Sequence, residues 1–203
     1  MTTASRATRN ATSRPGGRSA RVRDQVLEAV QAELADTGYD GLTIDGVAAR
    51  SGVHRTTIYR RWKTVAGLLV DLLEAGVDDT WAPADTGSLE ADLVALNREV
   101  REALSGDSSV TLAVIAASFR TPEAAEALTR FWDDRYERSA VVVERAITRG
   151  EVPGDTAAAR VVMAATSPLY HQLVLRRSRM SRAEADQYAR DSAAAAIAGL
   201  LRH

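Results

Sequence analysis

Residues 54–63 combine cationic, hydroxyl and phenol side chains with apolar ones at helical spacing. At about 100° per residue, Ile58 and Trp62 share one face of a helix, and Thr56 and Arg60 point almost the opposite way. Arginine can hydrogen-bond to O6 and N7 of guanine, and threonine can offer a hydroxyl to a base or a methyl group to thymine. The spacing therefore predicts a helix that packs through one face and presents the other to the major groove of DNA.

Neighbouring side chains extend this outward face. Thr57 and Tyr59 flank it, and Arg55 lies at the exposed start of the helix. Tyr59 and Lys63 are suited to phosphate oxygens, and such contacts fix the register of a protein on DNA without reading its sequence. The predicted DNA contacts are Thr43, Arg55, Thr56, Thr57, Tyr59, Arg60 and Lys63.

A preceding helix must hold this one in place. Thr43 supplies a hydroxyl that can cap free backbone N–H groups, and Ile44 begins an apolar face behind it. Gly52 accepts the left-handed backbone that a sharp turn between helices requires, and Val53 can fill the inside of that corner. We therefore expect two short helices joined by a tight turn. The alternative is an ordinary pair of short amphipathic helices, which would show the same pattern without binding DNA.

The same stretch resembles the DNA-binding head of the TetR family of bacterial transcriptional regulators. The matching residues are Gly38, Tyr39, Gly41, Leu42, Thr43, Val47, Ala48, Gly52, Val53, Thr57, Ile58, Tyr59, Arg60 and Trp62. The family usually has a small capping residue, such as serine, where this chain has His54. It also has a phosphate-binding lysine where this chain has Val65, and Lys63 is the nearby residue that can take over that contact.

Composition limits the fold and the chemistry. The chain has 203 residues, 45% hydrophobic and 5% aromatic, which suits an all-α protein with a sizeable core. It contains no cysteine, so disulfides, thiolate metal sites and thiol catalysis are excluded. It has no run of about 18 apolar residues and no apolar signal core at its start, so we expect a cytoplasmic protein that does not engage a membrane.

The net charge of −1 conceals an uneven distribution. Residues 1–63 carry 10 Arg and 1 Lys against 6 acidic residues, a net charge of +5. Residues 64–203 carry 15 Arg against 21 acidic residues, a net charge of −6. A basic head on an acidic body directs the head toward a polyanion.

Much of the basic excess comes from a polar N-terminal segment, residues 1–20, which has no hydrophobic period and is predicted to be disordered. Its arginines could follow a phosphate backbone or enter a minor groove, as the arms of helix-turn-helix proteins do. The alternative is a solvated tail. The arginines are Arg6, Arg9, Arg14 and Arg18.

Helical periodicity continues to the end of the chain. Helices are predicted at about 20–37, 64–79, 88–105, 109–119, 121–150, from 155 onward with a bend at Pro168, and 181–201. The predicted domains are a disordered tail at 1–20, a helix-turn-helix domain at 21–64, a linking helix at 65–80, and a helical ligand-binding and dimerisation domain at 88–203. The family resemblance implies that the tilt of the linking helix aims the head.

The last two predicted helices have small and apolar faces. These faces consist of Val161, Val162, Ala165, Leu169 and Leu173 on one helix and Ala189, Ala193, Ala196, Ile197 and Leu200 on the other. In the resembled family the corresponding pair forms a four-helix bundle with a second subunit, which implies a homodimer on an inverted-repeat DNA operator. The alternative is that these faces complete the core of a single subunit.

Catalysis and metal binding have little support. His54, His171 and His203 lie far apart in no metal-ligand spacing, and no glycine-rich phosphate loop is present, so we expect neither an enzyme nor a cofactor. The body is better suited to a mostly apolar pocket for a small hydrophobic or amphipathic ligand. Its predicted lining is Leu112, Ile115, Ala116, Phe119, Trp132, Tyr136, Met163, Tyr170 and His171. For each residue, ordinary core packing is the alternative.

The favoured interpretation is a homodimeric regulator that binds double-stranded DNA, with repression and ligand-induced release implied by the family resemblance. Two alternatives are open. One is an architectural protein that binds DNA without sequence preference through its basic head and tail. The other is a small-molecule-binding protein or enzyme that carries a vestigial DNA-binding head.

Overall fold

The structure, a computed structural model, describes residues 17–77, 81–106 and 109–203. Within these ranges the chain is helical, which confirms the all-α prediction, and its single strand-like feature is an isolated bridge between Thr156 and Arg202. The helices are α1 (Gly17–Gly41), α2 (Ile44–Ser51), α3 (Arg55–Trp62), α4 (Val65–Val77), α5 (Leu89–Leu104), α6 (Val110–Ser118), α7 (Pro122–Ser139), α8 (Val141–Arg149), α9 (Ala158–Tyr170) and α10 (Arg182–Ile197). A π-helical turn, His171–Leu175, extends α9.

Part of the predicted N-terminal tail is helical, because α1 begins at Gly17. Arg6, Arg9 and Arg14, and the predicted end of the linking helix at Asp79, lie outside the described residues. No described helix is long and apolar enough to span a bilayer. The described residues also contain no group of three or more His, Asp or Glu side chains placed to hold a metal ion.

The head, α1 to α4, is built around one apolar cluster. Val30 of α1, Val47 of α2, Ile58 of α3 and Leu68 of α4 are fully buried in it. A kink at Gly38, where φ is +68°, ends the regular part of α1 and turns the chain toward α2. The same cluster continues into the body through buried residues of α6 and α7, so the linking helix packs against both parts.

A second cluster fills the body between α5, α8, α9 and α10. Asn97 of α5 crosses it, and its Nδ2 donates to Ala165 O at 3.0 Å and to Ala185 O at 2.9 Å. These bonds tie α5 to the backbones of α9 and α10, so both helices turn their small apolar faces inward.

The apolar faces that we predicted for dimerisation are therefore mostly core. Val161, Val162, Ala165, Leu169, Ala189, Ala193 and Ala196 are buried within the single subunit, Leu173 is partly buried, and only Ile197 and Leu200 are exposed. Assigning this inward face to a subunit contact was wrong. The physical reason is that α5 packs across α9 and α10 and covers it.

Three helix boundaries also differ from expectation. The segment predicted as one helix at 121–150 breaks at Ala140, because α7 packs on the head cluster and α8 on the body cluster. The chain pairs Ala157 N–H with Leu201 O at 2.8 Å, so α9 starts at Ala158 rather than at Asp155. At the other end α10 stops before Gly199, whose φ is +71°.

Candidate nucleic-acid interface and internal cavity

The turn between α2 and α3 is fixed by local hydrogen bonds. Thr43 Oγ1 accepts from Gly46 N at 3.0 Å and caps α2, and Gly52 adopts a φ of +66° while its N–H donates to Ala48 O. His54 caps α3 through Nδ1, which lies 3.4 Å from Thr56 N and 2.9 Å from Thr56 Oγ1. Histidine thus performs the capping role of the smaller residue usual in the resembled family.

Helix α3 divides into a buried face and an exposed face. Ile58 and Trp62 are buried in the head cluster, whereas Tyr59 is 58% exposed. Arg55, Thr56 and Arg60 are exposed as well, and Thr57 is half-buried at the edge. The exposed face offers guanidinium, hydroxyl and phenol groups in one row, as the helical period predicts.

A carboxylate fixes the orientation of α3 against its neighbours. Asp71 of α4 accepts from Trp62 Nε1 at 2.7 Å through one oxygen and from Arg23 Nε at 2.9 Å through the other. Partial burial raises the pKa of the Asp71 carboxyl, but these hydrogen bonds and the charge of Arg23 outweigh it and leave the pKa below its ordinary value. The ionised carboxylate therefore joins α1, α3 and α4.

Lys63 ends α3 in an unusual backbone conformation. Its φ is +61° and its ψ is −44°, outside the left-handed helical region, and its N–H donates to Tyr59 O at 3.0 Å. The Lys63 side chain is exposed next to the outward face of α3. Val65 begins α4, and its hydrocarbon side chain offers no polar group to a phosphate.

A cavity of about 240 Å³ lies in the body. Its lining residues are Trp81, Leu96, Glu99, Val100, Ala103, Leu104, Thr111, Phe131, Trp132, Arg135, Tyr136, Ser139, Val162, Thr166 and Tyr170. Most of this surface is aromatic or aliphatic, and the polar groups are few. Such a lining suits a small, mostly apolar molecule held by a few hydrogen bonds.

Aromatic rings form one wall of the cavity. Trp132 meets Phe131 and Tyr170 edge to face, with ring centroids 4.9 and 5.1 Å apart. Burial raises the pKa of Tyr170 far above its ordinary value, and nearby Tyr136 adds to the shift, so the phenol stays protonated as a donor. At another edge Trp81 Nε1 donates to Glu99 Oε2 at 2.8 Å, and the Arg135 guanidinium lies 4.6 Å from the Trp81 ring centre.

An open groove of about 440 Å³ adjoins the cavity. Its lining residues are Ile115, Leu128, Trp132, Tyr136, Ser167, Tyr170, His171, Val174 and Leu175. Trp132, Tyr136 and Tyr170 line both spaces. These three side chains therefore form the partition between cavity and groove.

Comparison with known proteins assigns both halves of the chain. Residues 26–72 match the family of bacterial regulatory proteins named for tetR, and residues 83–192 match the tetracyclin repressor-like C-terminal domain. The chain belongs to the TetR family of transcriptional regulators. The families and relatives that match are regulators rather than enzymes, which removes the alternative of an enzyme with a vestigial head.

Individual relatives agree with the assignment. The chain is 33% identical to the transcriptional regulator AqdR of Rhodococcus erythropolis over 72% of its own length and 71% of that protein. It is 31% identical to the DNA-binding transcriptional repressor TetR of Mycobacteroides abscessus over 72% of its own length and 78% of that protein. The crystal structure of the TetR family regulator SCO0332 aligns with a TM-score of 0.69 and 27% identity over 86% of this chain and 97% of that one.

The predicted DNA-contacting residues of this TetR-family chain lie in α3 or directly after it, apart from Thr43, which precedes α2. Arg55, Thr56, Tyr59, Arg60 and Lys63 are exposed there, and Thr57 lies at the edge. Thr43 is exposed as well, with its hydroxyl engaged in the cap of α2.

The predicted pocket is only partly matched. Ile115, Trp132, Tyr136, Tyr170 and His171 line the cavity or the groove. Leu112, Ala116, Phe119 and Met163 line neither of them. Placing Phe119 and Met163 in the lining was wrong, because these residues are 81% and 51% exposed, one at the end of α6 and the other on the outer side of α9.

Sequence reasoning missed several lining residues, among them Trp81, Glu99, Phe131 and Arg135. Trp81 lies between the predicted linking helix at 65–80 and the predicted body at 88–203, in a stretch to which the sequence assigns no helix. Phe131 and Arg135 lie four residues apart on α7 and therefore share one face of the helix. Trp132, the next residue after Phe131, lies beside that face. That spacing was the available signal.

Proposed function

We propose that this TetR-family regulator is a homodimeric repressor that binds an inverted-repeat operator and releases it when a small hydrophobic or amphipathic molecule occupies the body. The outward face of α3 carries the proposal, because Arg55, Thr56 and Arg60 are exposed on a helix whose other face is buried. Base-reading side chains on a firmly packed helix suit the major groove. A named repressor among the relatives favours repression as the sign of regulation.

The outer faces of α9 and α10 support the dimer. Met163 and Ala164 on α9 and Ala194 and Ile197 on α10 point away from the subunit core and are exposed. These small and apolar side chains allow two such helix pairs to approach closely. We infer that this outer face, which shares Ile197 with the predicted set but excludes its buried members, forms the subunit contact.

Helix α7 supports a link between the cavity and the head. Phe131 lines the cavity and also packs against the apolar cluster that contains α4. Arg130, next to it, pairs with Glu74 of α4 at 2.5 Å. A molecule that displaces Phe131 would favour another position of α4, and release requires that it bind this second arrangement more tightly.

The test is selection of bound fragments from genomic DNA by the purified full-length protein. We expect enrichment of one inverted repeat and a mass in solution that corresponds to two subunits. Met163→Glu, on the outer face of α9, should reduce both the dimer and the affinity for the full repeat, whereas Glu144→Gln, exposed on α8, should change neither. Capture of fragments with no common sequence would contradict the proposal and support an architectural DNA-binding protein instead.

A further inference from the structure

An exposed ion pair joins the two motif helices on the side of the head that carries the predicted DNA contacts. Arg55 Nε lies 3.0 Å from Asp45 Oδ1, and the two side chains are 65% and 66% exposed. Asp45 is in the first turn of α2, and Arg55 is the first residue of α3. Because DNA is a polyanion, an acidic side chain at this surface opposes binding.

The pair is poorly suited to a structural role. Water and salt screen a pair this exposed, so it adds little to the stability of the fold. Other contacts hold the motif, since Ile58 is fully buried against the head cluster and Gln25 donates to Ser51 O at 2.9 Å. The main effect of the Asp45 charge is therefore on the position and availability of the Arg55 guanidinium.

The pair is an electrostatic contact in which Nε is the Arg55 nitrogen nearest to Asp45. The outer edge of the guanidinium, with its two terminal nitrogens, is the part that forms paired hydrogen bonds with guanine O6 and N7. An arginine whose Nε side is drawn toward a carboxylate keeps this edge available and has less freedom to lose when it reaches a base. The same carboxylate competes with a DNA phosphate for the guanidinium, since both are anionic acceptors.

We propose that Asp45 is a specificity-determining residue, which steadies Arg55 toward the bases of the operator and withholds it from the phosphates of unrelated DNA. The proposal rests on the proposed function, since it requires Arg55 to lie against DNA. The Asp45 carboxylate lowers the affinity for all DNA sequences. The loss is largest for sequences in which no base accepts hydrogen bonds from Arg55, and specificity is this difference in affinity.

The experiment compares Asp45→Asn with Asp40→Asn. Both substitutions remove one negative charge from the head, and Asp40 is exposed with no ion-pair partner among the described residues. The affinity of each protein is measured for the selected operator and for a scrambled fragment of equal length over a range of salt. Thermal unfolding of both variants should match the wild type, because neither side chain is buried.

We expect Asp45→Asn to bind the scrambled fragment roughly 3- to 10-fold more tightly, with a salt slope steeper by about one, as for one additional phosphate contact. Its operator affinity should change by less than about twofold, so discrimination falls. Asp40→Asn should leave discrimination at the wild-type ratio. In an Arg55→Ala background, Asp45→Asn should have no further effect on discrimination.

Two results would overturn the inference alone. One is an equal gain in affinity for scrambled DNA in both single variants, which would indicate a general charge effect. The other is a change of discrimination by Asp45→Asn that persists without Arg55. A wild-type protein that fails to distinguish operator from scrambled DNA would instead overturn the proposed function, and this inference with it.

Discussion

The head and the body arrange their candidate sites in different ways. In the head, the side chains assigned to base reading project from one eight-residue helix, α3, whose opposite face is buried in the head cluster. In the body, the cavity is lined by residues of α5, α6, α7 and α9 and by Trp81, which lies between helices. A site on one helix depends on the packing of that helix, whereas a cavity depends on the relative placement of several.

The largest effect that this comparison predicts comes from Ile58→Ala. Ile58 is fully buried on the side of α3 opposite its exposed face, and removing its side chain should lower the free energy of unfolding by about 2–5 kcal/mol. Affinity for DNA should fall with it, as measured by chemical denaturation and operator titration. Trp132→Ala, in the wall of the cavity, is the corresponding change in the body, and it should leave operator affinity near the wild-type value. Equal loss of DNA binding in both variants would contradict the comparison.

Asp71→Asn should have the next largest effect. It weakens the contacts with Arg23 and Trp62 and should lower the free energy of unfolding by roughly 1–2 kcal/mol near neutral pH. The folded-state pKa of Asp71 lies below its ordinary value, so the contribution of the carboxylate is fully present above that ordinary value and is lost as the pH falls through the folded-state pKa.

The difference in unfolding free energy between wild type and Asp71→Asn should therefore stay constant from neutral pH to about pH 5 and narrow in more acidic solution. Urea denaturation at a series of pH values measures it. A difference that stays the same through the acidic range would show that the charge of Asp71 is not what joins these helices.

A smaller effect is predicted for Lys63→Gln, which tests phosphate contacts in the head. Binding to all sequences should weaken alike, and the slope of log affinity against log salt should become shallower by about one. Tyr59→Ala should also weaken binding to most sequences alike, with little change in slope because the phenol is neutral. Loss confined to particular base pairs would show that these residues read sequence.

The smallest effect should come from Glu74→Gln, which removes the exposed ion pair with Arg130 between α4 and α7. Such pairs contribute about 0–1 kcal/mol, so stability should hardly change. Phe131→Ala is the informative partner, because Phe131 belongs both to the cavity and to the cluster around α4. If Glu74→Gln alters the ligand response more than Phe131→Ala does, the link between body and head runs through charge rather than packing.

The head could be predicted from sequence because its geometry is local. Thr43, Gly52 and the Ile58–Trp62 spacing specify a cap, a turn and a buried face within twenty residues, and the structure shows each of them. His54 illustrates the limit of a family pattern, since a different residue type makes the same kind of cap.

The contacts and the cavity lining of the body could be predicted only in part, because they depend on packing between residues far apart in sequence. Helical periodicity identified apolar faces on α9 and α10, but it could not show that α5 covers them and leaves Met163 outside. It likewise could not place Trp81 beside Glu99, eighteen residues away, at the edge of a cavity. A face known to be apolar has several possible partners, and only the fold selects among them.

The most direct test of the exposed face of α3 is to measure the binding free energy of every single-base variant of the selected operator. The measurement is made with the wild-type protein and with Arg60→Ala. We expect Arg60→Ala to lose about 1–3 kcal/mol of discrimination at one base-pair position in each half of the repeat, with the other positions unchanged. A uniform loss over all variants, or unchanged discrimination everywhere, would contradict the claim that the exposed face of α3 reads DNA sequence.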